Sequence, residues 1–289
     1  MDVHSPHVLA TLSLAFAKHA HSKKVKPAPA RCVKTHSVCD QVVARFLVLL
    51  TLSFILCQAH GFYSISLPWF QLSRWPNLIA QTAFGVLVAS LLSMLACTCM
   101  LDPGSPPAVA GTGKSGKWCE RCMAQKPERC HHCSICDRCV LKMDHHCVFT
   151  NSCIGARNHL HFLTLVALAT FGCGSVALFV APQLPGAFRE IISFGHAGHD
   201  LLFHLYLILL TTSASVCFAL LWDLLLAQLH NLLRNETTIE SIENWAERRG
   251  SPYDSGAMKN VVEVFGPRAE WFSRCVLYLD CFDQFLTSD

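Results

Sequence analysis

The sequence predicts a polytopic α-helical membrane protein, with four transmembrane helices and a small cytosolic zinc-binding cysteine-rich domain between helices two and three. Three observations carry this prediction. Four apolar stretches are each long enough to cross a bilayer, a dense cysteine and histidine cluster separates the second from the third, and lysine and arginine collect in alternate connecting segments. With 52% apolar residues, only 15% charged residues and a mean hydropathy of +0.36 over 289 residues, the chain is too apolar for a soluble domain of its length.

The apolar stretches run from Val42 to about Gln58, Leu78 to about Leu101, Phe162 to about Val180, and Leu201 to about Leu226. Each has roughly the 17 to 25 residues a helix needs to span hydrocarbon, with at most a charge near one end. No small-residue cleavage pattern closes the first stretch, so it reads as a membrane helix and not as a secretory signal. Lys and Arg number 7, 1, 8, 1 and 6 in the five segments flanking the helices, which places both termini and the cysteine-rich segment on the cytosolic side. The expected organisation is a cytosolic N-terminal segment (1–41), helices one and two with a short luminal loop (42–101), the cysteine-rich domain (102–161), helices three and four with a second luminal loop (162–229), and a cytosolic tail (230–289).

Along the chain, Cys32 and Cys39 near helix one, and Cys97 and Cys99 at the end of helix two, are candidates for lipidation or plain free thiols. The first luminal loop, Gly61 to Asn77, is rich in interfacial aromatics. Asp102-Pro103-Gly104 stops helix two, and a Pro/Gly/Ser linker to Gly116 follows; its GTGKSG lacks the spacing of a phosphate loop. Gly172 and Gly174 offer helix three a close contact or room for a ligand. Asp223 is the one acid in helix four, either functional or already in the headgroup region. In the tail, Met258 to Phe265 reads as an amphipathic segment, and the aromatics Trp271, Phe272, Tyr278, Phe282 and Phe285 read as docking against the bilayer or the helices. No internal repeat is visible.

The cluster from Trp118 to Gly155 has the strongest chemistry. The segment Cys119 to Cys153 holds eight of the chain's 17 cysteines and four histidines. Clustered cysteines in a reducing compartment read as metal ligands or nucleophiles, and the pairs Cys119/Cys122, Cys133/Cys136 and Cys136/Cys139 have the spacing that brings two thiolates onto one tetrahedral ion. Twelve candidate ligands exceed one site, so the arithmetic predicts two zinc ions and a few residues released for other work. Metal here substitutes for a hydrophobic core. The net charge of +3 is spread over three segments that each adjoin a membrane, which suits a lipid bilayer and calls for no nucleic-acid partner.

In an extended Asp144-His145-His146-Cys147, His145 and Cys147 project to one side and His146 to the other. One histidine can then hold metal while the other serves the cysteine, with Cys147 a poised thiolate, His145 its base and Asp144 reaching His145 through a bend. The alternative is that Cys147 is one more zinc ligand.

This stretch resembles the DHHC family of protein S-acyltransferases (palmitoyltransferases), in Cys119-x2-Cys122, His132-Cys133-x2-Cys136-x2-Cys139, Asp144-His145-His146-Cys147, Asn151, Cys153, Gly155, Asn158 and Phe162. Asp102-Pro103-Gly104, Thr237-Thr238-Ile239-Glu240 and the segment Ser251-Pro252-Tyr253 through Asn260 agree. The resemblance implies one zinc on Cys119, Cys122, His132 and Cys139 and a second, interleaved, on Cys133, Cys136, His146 and Cys153, leaving Cys130 and His131 outside both. It also implies Cys147 as the acylated nucleophile, His145 as its base and Asp144 as the orienting acid. The donor is a long-chain acyl-CoA, typically palmitoyl-CoA, and the acceptors are cysteines of membrane-associated proteins. Burying a C16 tail is worth on the order of 12 kcal/mol gross, at about 0.8 per carbon, which suits an apolar slot between helices. Lys126, Arg129, Lys142 and Arg157 are the candidates for the CoA phosphates. The expected location is an internal membrane, Golgi or endoplasmic reticulum. Where the family usually has Pro-Trp and an aliphatic residue after the nucleophile, this chain has Val148-Phe149-Thr150, and Ser251 replaces an expected Asn. A membrane adaptor with a partner-binding zinc module is the non-enzymatic alternative.

Overall fold

The computed structural model describes residues 38–106, 117–192 and 198–266. The expectations for the N-terminal segment, the GTGKSG linker and the terminal aromatics from Trp271 onward lie outside the described residues. All four predicted spans are helices. Helix α1 (Val38–Gly61) runs on through one π turn (Phe62–Ser66) into a last α-turn (Leu67–Trp69), and α2 covers Arg74–Met100. Helix α3 (His159–Val180) passes through a 3-10 turn (Ala181–Gln183) into α4 (Leu184–Ile192), and α5 covers Gly198–Leu233. The apolar spans measure 27 to 34 residues. At 1.5 Å per residue they reach about 40–50 Å, longer than the roughly 30 Å hydrocarbon core, so helical turns stand beyond it.

Two compact units emerge. One joins Leu49–Met94 to Thr164–Leu225. Its core is built from Phe62, Ile65, Leu67, Phe84, Val176, Val180, Leu207, Leu210 and Ala214, with the Phe62 and Phe84 rings stacked at 3.7 Å. That core corrects the expected loop over Gly61 to Asn77. The chain stays helical to Trp69 because Phe62, Ile65 and Leu67 are buried, and only residues 70–73 connect α1 to α2. Of the two glycines flanking Cys173, only Gly174 makes a close approach: a Cβ there would lie 2.9 Å from the Phe218 ring, whereas one at Gly172 would meet nothing. Asp223 lies exposed on α5.

The other unit gathers the chain up to Val48, Leu95–Leu163 and the residues from Leu226 onward. It contains three antiparallel hairpins: β1 (Trp118–Cys119) with β2 (Ala124–Gln125), β3 (His131–Cys133) with β4 (Arg138–Val140), and β5 (His145–Cys147) with β6 (Ser152–Ile154). Strands of two or three residues cannot hold themselves. They are clasped by the end of α2: Asp102 accepts hydrogen bonds from the Gly104 N–H (3.2 Å) and from Arg138 (2.7 Å), and the Gly104 carbonyl accepts the Leu141 N–H at 2.9 Å. Gly104 itself has φ +106°, a backbone state open to glycine. Gly155 sits where this clasp meets the hairpins, and a Cβ would lie 2.7 Å from the Pro103 carbonyl oxygen and 2.8 Å from that of Leu141.

Two short helices close the unit. Helix α6 (Thr238–Ala246) starts from a full capping box between Thr237 and Glu240, and the predicted amphipathic segment is α7 (Ala257–Phe265). Buried Asn260 ties α7 to the end of α5 by donating to the Leu233 carbonyl at 2.7 Å. Ser251, in the place of the expected Asn, donates to the Asn235 carbonyl at 3.3 Å and accepts the Tyr253 N–H at 3.2 Å.

Candidate active site and metal centres

The three hairpins are one motif repeated every 14 residues. Cys119, Cys133 and Cys147 hold the same position, as do Cys122, Cys136 and Thr150. The cross-strand pairs coincide: Trp118↔Gln125, His132↔Cys139 and His146↔Cys153 are equivalent, and inside them lie Cys119↔Ala124, Cys133↔Arg138 and Cys147↔Ser152. Each turn closes through a residue of positive φ, Met123 at 52°, Asp137 at 52° and Asn151 at 48°. In the first two, the backbone N–H of the second cysteine donates to the sulfur of the first, at 3.4 Å for Cys122 and 3.3 Å for Cys136. The repeat is not visible in the sequence because its outer positions change identity, Trp to His and Gln to Cys, while the backbone geometry persists.

This repeat explains the interleaving. Each turn supplies two thiols, and the next hairpin supplies a histidine and a cysteine from its facing pair. The result is two four-donor groups, Cys119, Cys122, His132 and Cys139, and Cys133, Cys136, His146 and Cys153, with donor atoms within 4.8 Å of one another. Tetrahedral bond lengths of about 2.3 Å to sulfur and 2.0–2.1 Å to nitrogen put S and N about 3.6 Å apart. The Nδ1 of His132 lies 3.6, 3.3 and 3.9 Å from the sulfurs of Cys119, Cys122 and Cys139. The Nδ1 of His146 lies 3.8, 3.4 and 3.6 Å from those of Cys133, Cys136 and Cys153. Both donor sets fit zinc. Their crowding points the same way: hydrogen bonds from Cys136 and Cys153 drive the Cys133 thiol far down, while Cys133 and Cys136 drive Cys153 far up. A dication resolves such a conflict between thiols. The other ring nitrogen of His132 lies 3.4 Å from an Asp137 carboxylate oxygen, without hydrogen-bond geometry. Cys130 and His131 belong to neither group.

Among the described residues no hairpin follows the third turn to supply a histidine and a cysteine, and threonine stands in place of its second cysteine. Cys147 is therefore a turn cysteine without a metal set, and His145, across the β5 strand from the metal-facing His146, reaches its sulfur. The other ring nitrogen of His145 bonds Asp144 Oδ2 at 2.7 Å. Asp144 is 1% exposed, yet its carboxylate is fully furnished: it accepts from the Thr238 N–H at 2.6 Å, the Thr238 hydroxyl at 2.8 Å and Gln228 at 3.3 Å. Burial opposes its charge, but the His145 bond and these donors hold the acid well below the usual carboxylate range. Burial likewise pulls His145 down, and the Asp144 and Cys147 bonds outweigh it, raising the imidazole to about 10. Burial pushes the Cys147 thiol up, and His145 with Thr150 brings it down to about 7. Near neutrality a substantial share of the pair is thiolate and imidazolium, the activated state of a cysteine nucleophile.

Of the four basic residues expected at CoA, two are committed within the fold. Arg129 forks onto Glu240 with two bonds of 2.7 Å, donates twice to Asn235, and lies 4.1 Å from the Tyr253 ring centre. Lys142 bonds Glu263 at 2.7 Å and Asn235 at 3.1 Å. Arg157 is exposed beside Asp102 at 3.6 Å, and Lys126 is half-buried. The site also contains groups that sequence reasoning passed over. Gln228 is a polar residue in the apolar run of α5, five positions after the Asp223 that drew attention instead. Thr238 stands in the Thr237-Thr238-Ile239-Glu240 motif, which by itself assigns it no role, and Thr150 stands out in the sequence only as a departure from the family pattern.

Fold and site together define a polytopic membrane protein with a two-site Cys/His metal module and a Cys–His–Asp relay beside it. Residues 112–245 match the family model described as DHHC palmitoyltransferase, and the chain carries a DHHC domain. It is 33% identical over 159 residues to palmitoyltransferase ZDHHC2 of Mus musculus (54% of this chain, 42% of that one). It is 32% identical over 174 residues to palmitoyltransferase ZDHHC15 of Homo sapiens (57% and 49%), and 36% identical over 151 residues to the probable protein S-acyltransferase 14 of Arabidopsis thaliana (52% and 47%). The chain spans about half the length of these curated relatives.

Proposed function

We propose that the chain is a protein S-acyltransferase that carries a long-chain acyl group, palmitoyl above all, from coenzyme A through a Cys147 thioester to cysteine thiols of membrane-associated proteins. The relay of buried Asp144, His145 and Cys147 carries this reading, and the printed names of the relatives agree with it. In the first step the Cys147 thiolate attacks the thioester carbonyl, the bond to the CoA sulfur breaks, and that sulfur takes the proton held on His145. In the second, His145 accepts the proton of the incoming thiol, whose sulfur attacks the acyl-enzyme and expels Cys147 as thiolate. One thioester replaces another, so no energy source is needed. Asp144 keeps its proton-bearing nitrogen partner oriented throughout.

Zinc, on the two four-residue groups, would supply rigid tetrahedral cross-links, and none of those ligands stands in the relay. Lys126 and Arg157 serve the CoA phosphates, while Arg129 and Lys142 serve the fold. The alternation of Lys and Arg supports a cytosolic active site, in an internal membrane such as Golgi or endoplasmic reticulum.

The test is acyl transfer by the purified, detergent-solubilised chain from labelled palmitoyl-CoA. The expected result is a hydroxylamine-labile label on wild type that Cys147→Ser lacks. A zinc-loaded, folded wild type that takes no such label refutes the reading and leaves a membrane adaptor.

A further inference from the structure

The first two hairpins share two turn cysteines; the third keeps the first, Cys147, and departs at the second. Where Cys122 and Cys136 place a second thiol beside the first, Thr150 places a hydroxyl. It is 2% exposed, too buried to be explained by solvent, in a turn whose backbone is otherwise that of the metal-binding turns. The hydroxyl donates to the Cys147 carbonyl oxygen at 3.4 Å, and it occupies the turn position from which Cys122 and Cys136 bring their sulfurs within 4.8 Å of those of Cys119 and Cys133.

Resting on the acyltransferase reading above, we propose that Thr150 is a further catalytic residue, whose hydroxyl donates a hydrogen bond to the Cys147 sulfur whenever that sulfur is a thiolate. The consequence differs between the two steps. During acylation the sulfur lone pair moves into the new S–C bond and the hydrogen bond weakens, so it gives that step no acceleration. The hydroxyl falls back on the Cys147 carbonyl while the sulfur carries the acyl group. During transfer the S–C bond to Cys147 breaks, the electron pair returns to that sulfur, and the hydroxyl stabilises the leaving thiolate as it forms. A better-stabilised thiolate leaves faster. A hydrogen bond to a charged group is worth about a tenfold change or somewhat more in rate.

The experiment uses the full chain in detergent, loaded with palmitoyl-CoA. Intact mass gives the fraction acylated, and a cysteine peptide is then added to follow its decay. Thr150→Val and Thr150→Ala both lack the hydroxyl. Both are expected to acylate at least as fully as wild type and to hand the group on about tenfold more slowly, with zinc content unchanged. Thr150→Ser restores the wild-type decay. Misfolding would instead lower acylation and zinc together in Val and Ala alike. The proposal is overturned if either hydroxyl-free variant acylates normally and decays at the wild-type rate, if Ser is as slow as Val, or if zinc-replete Val and Ala fail to acylate. Absence of any acyl-enzyme on wild type is a different outcome, because it refutes the acyltransferase reading itself and this proposal with it.

Discussion

The ion pair between Arg129 and Glu240 joins the hairpins to the helix that holds Asp144 in place. Both side chains are 11% exposed. Glu240 takes two short bonds from the guanidinium and also accepts the Thr237 N–H at 2.9 Å, closing the cap of α6, whose first residue, Thr238, gives two donors to Asp144. Glu240→Ala leaves a largely buried guanidinium with Asn235, the Tyr253 ring and a half-exposed Glu263 carboxylate 3.9 Å away. Stranding a buried charge costs about 3–5 kcal/mol, and losing the reciprocal cap bond adds about 0.5–2. Arg129→Ala should cost less, about 2–4 kcal/mol, because the Glu240 carboxylate keeps its cap bond. Removing both avoids the stranded charge, so the double variant should fall short of the sum by about 2 kcal/mol or more. Thermal unfolding of the detergent-solubilised chain measures this, and Glu240→Ala should lower Tm by roughly 10 °C, at about 2–4 °C per kcal/mol. Acylation of Cys147 should fall alongside, because Thr238 loosens its hold on Asp144. Strict additivity of the two single variants would refute the argument, as would a Glu240→Ala protein with wild-type Tm.

Asp144→Asn keeps the shape of the relay but not the charge that fixes the His145 tautomer, so Cys147 acylation should drop on the order of 10²–10⁴-fold with zinc content intact, read by labelled-donor transfer. Acylation rate should rise with pH through about 7, as the Cys147 thiol ionises, and hold level until His145 loses its proton near 10; a profile flat from pH 5 to 8 would contradict this. Strong chelation should remove two zinc ions per chain and unfold the hairpins, while Cys136→Ser should reduce bound zinc toward one, counted by elemental analysis. Gly155→Ala forces a methyl into two backbone carbonyls and should destabilise the module by about 1–3 kcal/mol, seen as increased amide exchange through β5 and β6.

Much of this protein is legible in one dimension because its signals are local. Apolar runs of the right length identify spans without reference to neighbours, since a helix in lipid satisfies its own backbone. Cysteines three apart announce metal because a single turn brings their sulfurs together. The alternation of side chains along a strand already separates His145 and Cys147 from His146. The helix ends were less readable. Phe62, Ile65 and Leu67 look like an interfacial loop until their burial against Phe84 and Leu210 makes them core, a fact that depends on chain more than a hundred residues away.

Tertiary structure decided how these local pieces are used. Which of four basic residues remain at the surface is settled by acids at Glu240 and Glu263, over a hundred residues away from the Arg129 and Lys142 they pair with. The importance of Gln228 over Asp223 follows from which side of α5 meets Asp144, and residue type alone does not reveal that. The role of Cys147 rests on a repeat that was hidden in the letters, because the cross-strand register, and not residue identity, is what recurs every 14 residues. Residue chemistry thus determined that the chain spans a membrane and that its cluster can bind metal and house a nucleophile. The pairing of the hairpins determined which turn cysteine is left over, because a metal site is completed by the hairpin that follows, and among the described residues none follows the third.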